Sequence, residues 1–134
     1  MEQLKQKYAD RDVAFLHMYV REPHAKERGF YNRFSEYENH TSYEHKMRYA
    51  QELVAEKQVT IPLMVDGFDQ KWHKTLGNLP NMTYIVNKEG KVEYNATWQL
   101  ADEIDEVLAE ILTAEDPSRP MQKTISTKGL STEI

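Results

Sequence analysis

The run from Asp12 to His24, Asp-Val-Ala-Phe-Leu-His-Met-Tyr-Val-Arg-Glu-Pro-His, constrains what this chain can fold into more than any other stretch. Val13–Val20 is apolar, carries β-branched and aromatic residues, and is too short for a helix of ordinary length. Pro23 closes it off, because the residue before a proline is pushed out of the α region. Such a run suits a strand buried on both faces, as in a parallel sheet. Open α/β sheets bind ligands beyond the carboxyl ends of their strands, so Arg21, Glu22 and His24, which leave this strand, are the first candidates for chemistry.

The other elements follow from periodicity and punctuation. Leu4 and Tyr8 stand at i and i+4 in residues 2–9, the pattern of a short helix, and Asp10-Arg11-Asp12 turns the chain into the strand. Residues 21–40 are polar and aromatic without a sustained period. A loop of this length inside a compact domain either packs through its aromatic residues or carries a site. Thr41 and Glu44 form a capping box for a helix reaching Lys57, with Tyr43, Met47, Ala50, Leu53 and Val54 on one face. Val59–Val65 reads as a second strand whose Pro62 demands an edge, a strand start or a bulge. A short helix over Phe68–Leu76 ends at Gly77, Met82–Val86 makes a third strand, and the Asn87–Gly90 turn leads into a hairpin strand over Lys91–Asn95. The final helix spans Leu100–Thr113, with Leu100, Ile104, Val107, Leu108 and Ile111 on its buried face. This is an α/β chain with a single domain over residues 1–113, followed by a flexible tail over 114–134 whose prolines, serines and threonines lack an apolar period.

Charge and residue usage exclude several functions. The formal net charge of −5, with lysines and arginines spread evenly, offers no basic stripe for nucleic acid. No apolar run approaches the ~20 residues that span a bilayer. The first residues, Met-Glu-Gln-Leu-Lys, contain no apolar signal region, so the expectation is a cytoplasmic protein without membrane contact. The chain has no cysteine, which removes disulfides, thiolate metal sites and a cysteine nucleophile from its own chemistry. Its five histidines do not form a metal motif: His40 and His45 are five apart, not the four that put two ligands on one helical face. Neither a metal nor a cofactor is expected. His17, inside the first strand, reads as a hydrogen-bonded core histidine, and His73 as a solvated one on an exposed helix. Asp66 and Asp69 flank a strand-to-helix connection, where one can cap the helix and the other favour its positive end. His24 and His40 bracket the long loop, with Glu22 beside the first, and could serve as acid, base or electrostatic partners of an anionic nucleophile.

Several segments, in order, resemble the iodothyronine deiodinase family and related bacterial thioredoxin-like redoxins. Tyr19-Val20-Arg21-Glu22-Pro23-His24 is similar to that family's Tyr-Ile-Glu-Glu-Ala-His at a strand end, and Asn39-His40-Thr41-Ser42-Tyr43-Glu44 to its Gln-His-Arg-Ser-Leu-Glu helix start. Ile61–Asp66, Leu79-Pro80 with Tyr84-Ile85-Val86, and Gly90-Lys91-Val92 with Tyr94 are similar to its later strand segments. The resemblance covers residues 4–112 and implies a thioredoxin-like fold. It implies selenol- or thiol-dependent reductive chemistry, such as deiodination or peroxide and disulfide reduction, on a small-molecule or thiol substrate. It also implies that His24, His40 and Glu22 surround the nucleophile. The chain departs from the family at Arg21, which replaces an acid, at Pro23, which replaces an alanine, and at Asn81-Met82, where the family has Glu-Arg.

In that family the nucleophile follows an earlier, central strand, at the start of a helix whose last turns correspond to residues 2–9. This chain contains neither the strand nor a selenocysteine or cysteine. The expectation is therefore an N-terminally truncated thioredoxin-like fold with two unpaired inner sheet edges, which a homodimer could complete. A selenocysteine codon read as a stop, with translation restarting at Met1, would produce such a chain. The alternative function is a binding or assembly module that keeps the fold without chemistry, and whether this polypeptide is itself an enzyme stays open at this point.

Overall fold

The computed structural model describes residues 1–22, 25–27, 36–77, 79 and 81–122. Among these are four helices and four strands: α1 (Glu2–Lys7), β1 (His17–Tyr19), α2 (Tyr43–Lys57), β2 (Leu63–Val65), α3 (Lys71–Leu76), β3 (Thr83–Val86), β4 (Val92–Ala96) and α4 (Ala101–Glu115). The protein is a mixed α/β chain, and it divides into two compact units, Met1–Pro80 and Asn81–Ile134.

In the first unit β1 and β2 pair in parallel, with His17 opposite Leu63, Met18 opposite Met64 and Tyr19 opposite Val65. Both strands are shorter than the sequence leads one to expect. Residues 13–16 lack ladder bonds, and Leu16 is 63% exposed, so the run is not buried on both faces. Pro62 has no N–H to give and lies just outside β2, where its carbonyl accepts from His17 N at 2.9 Å. Beyond the strands, Asp66 N donates to the Tyr19 carbonyl at 3.0 Å, which keeps the two carboxyl ends level. α2 packs on β2, and Leu4, Tyr8, Ala25, Ala50 and Ile61 form the apolar core of this unit.

Two helix starts differ from expectation. The N-cap of α2 is Ser42, one residue past Thr41: its Oγ accepts from His45 N at 3.0 Å, while His45 Nδ1 accepts from Thr41 N at 3.2 Å. His45 thus does the back-reaching that the capping box assigns to Glu44. With this start Tyr43 turns outward and the buried positions of α2 are Lys46 and Ala50. α3 starts at Lys71, three residues later than Phe68, because Asp66 ties down the connector: its two carboxylate oxygens accept from Trp72 N and His73 N, each at 3.0 Å. His73 is 4% exposed, not solvated.

In the second unit β3 and β4 form an antiparallel hairpin with a register shift at Ile85/Val86. Asn87 builds the turn: its Oδ1 accepts from Glu89 N and Lys91 N, and its carbonyl accepts from Gly90 N at 3.0 Å. Gly90 sits at φ 80°, a region that costs an L side chain about 1 kcal/mol or more, and nothing crowds its missing Cβ. Gly90→Ala should therefore lower stability by about 1 kcal/mol through backbone strain alone, and Gly90→Asn by less, as read from urea unfolding midpoints. α4 buries Ile104, Asp105, Leu108, Ala109 and Leu112 and runs through Glu115, so the expected tail begins inside the helix. Leu100, placed on the buried face by periodicity, is exposed. Residues 123–134 lie outside the described residues. Among the described residues no helix is long and apolar enough to cross a membrane.

Candidate functional site

The two loop segments that bracket residues 21–40 are held side by side. Lys26 N donates to the Tyr37 carbonyl at 2.8 Å, Lys26 pairs with Glu38, and Asn39 N donates to Glu27 Oε2 at 2.9 Å. Tyr49, on α2, reaches back so that its hydroxyl accepts from Glu38 N at 3.1 Å. These bonds deliver His40 to the carboxyl end of β1.

There the Tyr19 hydroxyl lies 3.0 Å from His40 Nε2 and 3.3 Å from Glu22 Oε2. The hydroxyl has one proton to give, and the tautomer of His40 decides where it goes. If His40 carries its proton on Nε2, the chain runs from His40 to the Tyr19 oxygen and from the Tyr19 hydroxyl to the Glu22 carboxylate; in the other tautomer Tyr19 donates to His40. Burial, together with the Glu22 charge, raises the Tyr19 phenol well above its ordinary range. His40 is also stacked edge-to-face with three rings, Tyr19 at 5.4 Å, Tyr49 at 5.5 Å and His45 at 6.0 Å between centroids. Burial, then the positive charges of Lys46 and His45, push His40 down to about 4, so it is a neutral imidazole at pH 7.

Glu22 and His40 line one cleft of about 300 Å³ together with Arg21 and Asn39. The opposite contribution comes from α2 and the connector after β2, which supply Lys46, Phe68 and Gln70. The cleft thus lies beyond the carboxyl ends of both parallel strands, where the strand-loop reading of residues 12–24 puts ligand chemistry. Comparison of the chain with family models, curated proteins and solved structures gave no match.

Of the three residues expected at the site, Glu22 and His40 are brought together through Tyr19, and His24 lies outside the described residues. His45, discounted by its spacing from His40, belongs to the same ring cluster because His40 precedes the helix instead of sharing its face. Among the described residues no group of three or more histidines and carboxylates is arranged to hold a metal. Asp66 and Asp69 cap and flank α3, Asp69 Oδ1 accepting from Lys71 N at 3.3 Å, as their position in the sequence suggests.

Lys46 is the residue that sequence reasoning missed. It is 1% exposed, and its Nζ donates to the Gly67 carbonyl at 3.4 Å. Burial pushes its ammonium below the usual lysine range, against the pull of Asp66 and Asp69. A signal was available: Lys46, Ala50 and Leu53 share the i, i+4, i+7 spacing of the apolar face, so a lysine stands where a core residue belongs.

Proposed function

We propose that this chain is a thioredoxin-like domain of the deiodinase-like redoxin type, whose cleft serves selenol- or thiol-dependent reductive chemistry with a nucleophile that the 134 residues do not contain. The observation that carries this reading is the Tyr19–His40 hydrogen bond of 3.0 Å. It joins two of the segments that resemble that family, through residues 21 apart in sequence, beside Glu22 in a polar cleft at the strand ends. The pairing pattern supports it as well. Among the described strands β1 pairs with β2 and β3 with β4, each pair having open edges, as the reading with two unpaired inner edges entails. A second copy is the simplest source of a completing strand, and concentration-dependent mass from light scattering tests it.

Electrostatics give His40 a role in this scheme. Its pKa is low partly because the charges it faces are positive. A thiolate or selenolate in the cleft would reverse that sign, favour the imidazolium, and gain a proton donor for the reduced product. With a soluble thiol as reductant, two RSH and one peroxide yield RSSR and two waters, or two RSH and an aryl iodide yield RSSR, the arene and HI.

The second reading, a binding or assembly module without chemistry, is favoured by the absence of cysteine. Assays with dithiothreitol as thiol and hydrogen peroxide, a protein disulfide or an aryl iodide as acceptor decide between them. The reductive reading expects turnover above the protein-free rate, falling by about 10²-fold in His40→Ala and in His24→Ala, the scale on which positioned proton donors act. Turnover at the protein-free rate with all three acceptors leaves the binding module.

A further inference from the structure

Lys46 is an unusual residue to find on the inner face of a helix. Burying an ammonium costs several kcal/mol unless its donors are paired, and an ammonium has three. Among the described residues Lys46 Nζ has one hydrogen bond, to the Gly67 carbonyl at 3.4 Å, longer than the usual N–H···O range. The carboxylates that attract it are committed elsewhere. Asp66 holds the first-turn amides of α3 and Asp69 holds Lys71 N, so they act on Lys46 through space and not as ion-pair partners. The lining also includes Arg21, Asn39 and Gln70, and one further acid, Glu22, which lies within reach of the Tyr19 hydroxyl. Phe68, half exposed, gives the lining an apolar surface.

We infer that this cleft binds a small molecule through an oxyanion group, a carboxylate or a phosphate, seated on the Lys46 ammonium with Arg21 as the second cation of the lining. A volume of about 300 Å³ suits a ligand at the small end of the range for protein pockets. The oxyanion supplies the acceptors that Lys46 lacks, which makes the lysine a binding residue with a cost in the empty state and a gain in the occupied one. The inference concerns the cleft of the reductive reading but does not rest on it, since anion binding survives a null result in the reductase assays.

The test uses inorganic phosphate and acetate as probes on the full chain, with ionic strength held constant by sodium chloride. One or both should bind saturably, with a Kd on the order of 1 mM read from amide shifts, and raise the unfolding temperature with the logarithmic concentration dependence of a single site. Saturation by phosphate alone assigns a phosphate group, and saturation by acetate alone a carboxylate. Lys46→Met should weaken the response at least tenfold while folding at least as well as the parent in anion-free buffer, because it removes a buried charge. As a measurement independent of any variant, backbone amide shifts of Arg21, His40, Gly67 and Gln70 in the ¹⁵N-labelled parent should move together with the same Kd. No saturable response to either probe, an equal response in Lys46→Met, or shifts scattered over exposed lysines would overturn the inference.

Discussion

Asp66→Ala is expected to lower stability by about 3 kcal/mol, a large share of the ~5–15 kcal/mol that holds a domain of this size together. Asp66 is 5% exposed, and both its oxygens accept from the amides of Trp72 and His73 at 3.0 Å. α3 is six residues long and its N-cap, Gln70, offers no side-chain cap, so Asp66 meets two of the amide donors that the first turn leaves open. Losing a cap costs about 1–2 kcal/mol. Leaving the buried amide of His73 unpaired, and Lys46 without the carboxylate that attracts it most, adds on the order of 1–2 kcal/mol more. Asp66→Asn should recover only part of this, because its NH₂ faces an amide donor. The Lys46 share is separable: in a Lys46→Met background Asp66→Ala should cost about 1 kcal/mol less, and urea unfolding of the four proteins closes the cycle. Equal costs in both backgrounds would show that Asp66 acts on α3 alone. Because Phe68 and Gln70 stand in the connector that Asp66 ties down, the same substitution should weaken any ligand of the cleft.

How much of this could be read from the sequence depends on whether the deciding interaction is local. The hairpin turn at Asn87–Gly90, the stop of α3 at Gly77 and the capping role of Asp66 and Asp69 are decided within a few residues, and each is found where the sequence puts it. Strand length is not local. Val13–Val20 has strand propensity throughout, but only His17–Tyr19 finds a ladder partner, because β2 begins after Pro62. On α2 the predicted face holds at Ala50, which is buried, and at Met47, Leu53 and Val54, which are half-buried, but with Ser42 as cap Tyr43 is exposed and Lys46 is buried. His73 was misjudged because solvation was inferred from the shortness of its helix, whereas the Asp66 anchor pulls the first turn of α3 inward. The pairing of Glu22 and His40 was legible as two loop residues of suitable chemistry. Its agent, Tyr19, was not, since a tyrosine at a strand end looks like core until its hydroxyl partners are known.

Acid titration should destabilise the protein in two separable steps. The first is led by His40, which folding holds neutral at about 4 against an ordinary 6.5, and His17, which burial also holds below 6.5, adds to it. Between those values the unfolded chain binds a proton that the folded one refuses, so stability falls as pH drops from about 6.5 to about 4. A shift of this size corresponds to about 3 kcal/mol for a fully buried group; His40 is only half-buried, and solvent screening reduces the expected loss to about 1 kcal/mol. The second step belongs to Glu2. Its carboxylate accepts from Thr60 N at 2.9 Å and Ile61 N at 3.1 Å and also from the Thr60 hydroxyl, which brings its pKa down to about 2 from 4.5. That contribution is complete above 4.5 and is lost as pH falls toward 2, when protonation breaks the bonds joining α1 to the segment before β2. His40→Gln should reduce the fall in stability between pH 4 and 6.5 to the share of His17 and leave the lower limb intact, while Glu2→Gln should reduce the lower limb to the share of Glu38, whose carboxyl the Lys26 ammonium holds below its ordinary range, and leave the upper limb intact. Unfolding midpoints at half-unit pH intervals separate the limbs. Loss of the upper limb in Glu2→Gln would mean that the acid response is a single global event and that His40 does not titrate on its own. A saturating oxyanion on Lys46 should shorten the upper limb from its low-pH end, because its charge offsets the lysine that helps hold His40 neutral and raises the folded pKa toward 6.5, which shrinks the loss on acidification. The pH profile with and without phosphate is thus a second reading of the same cleft, taken from stability instead of binding.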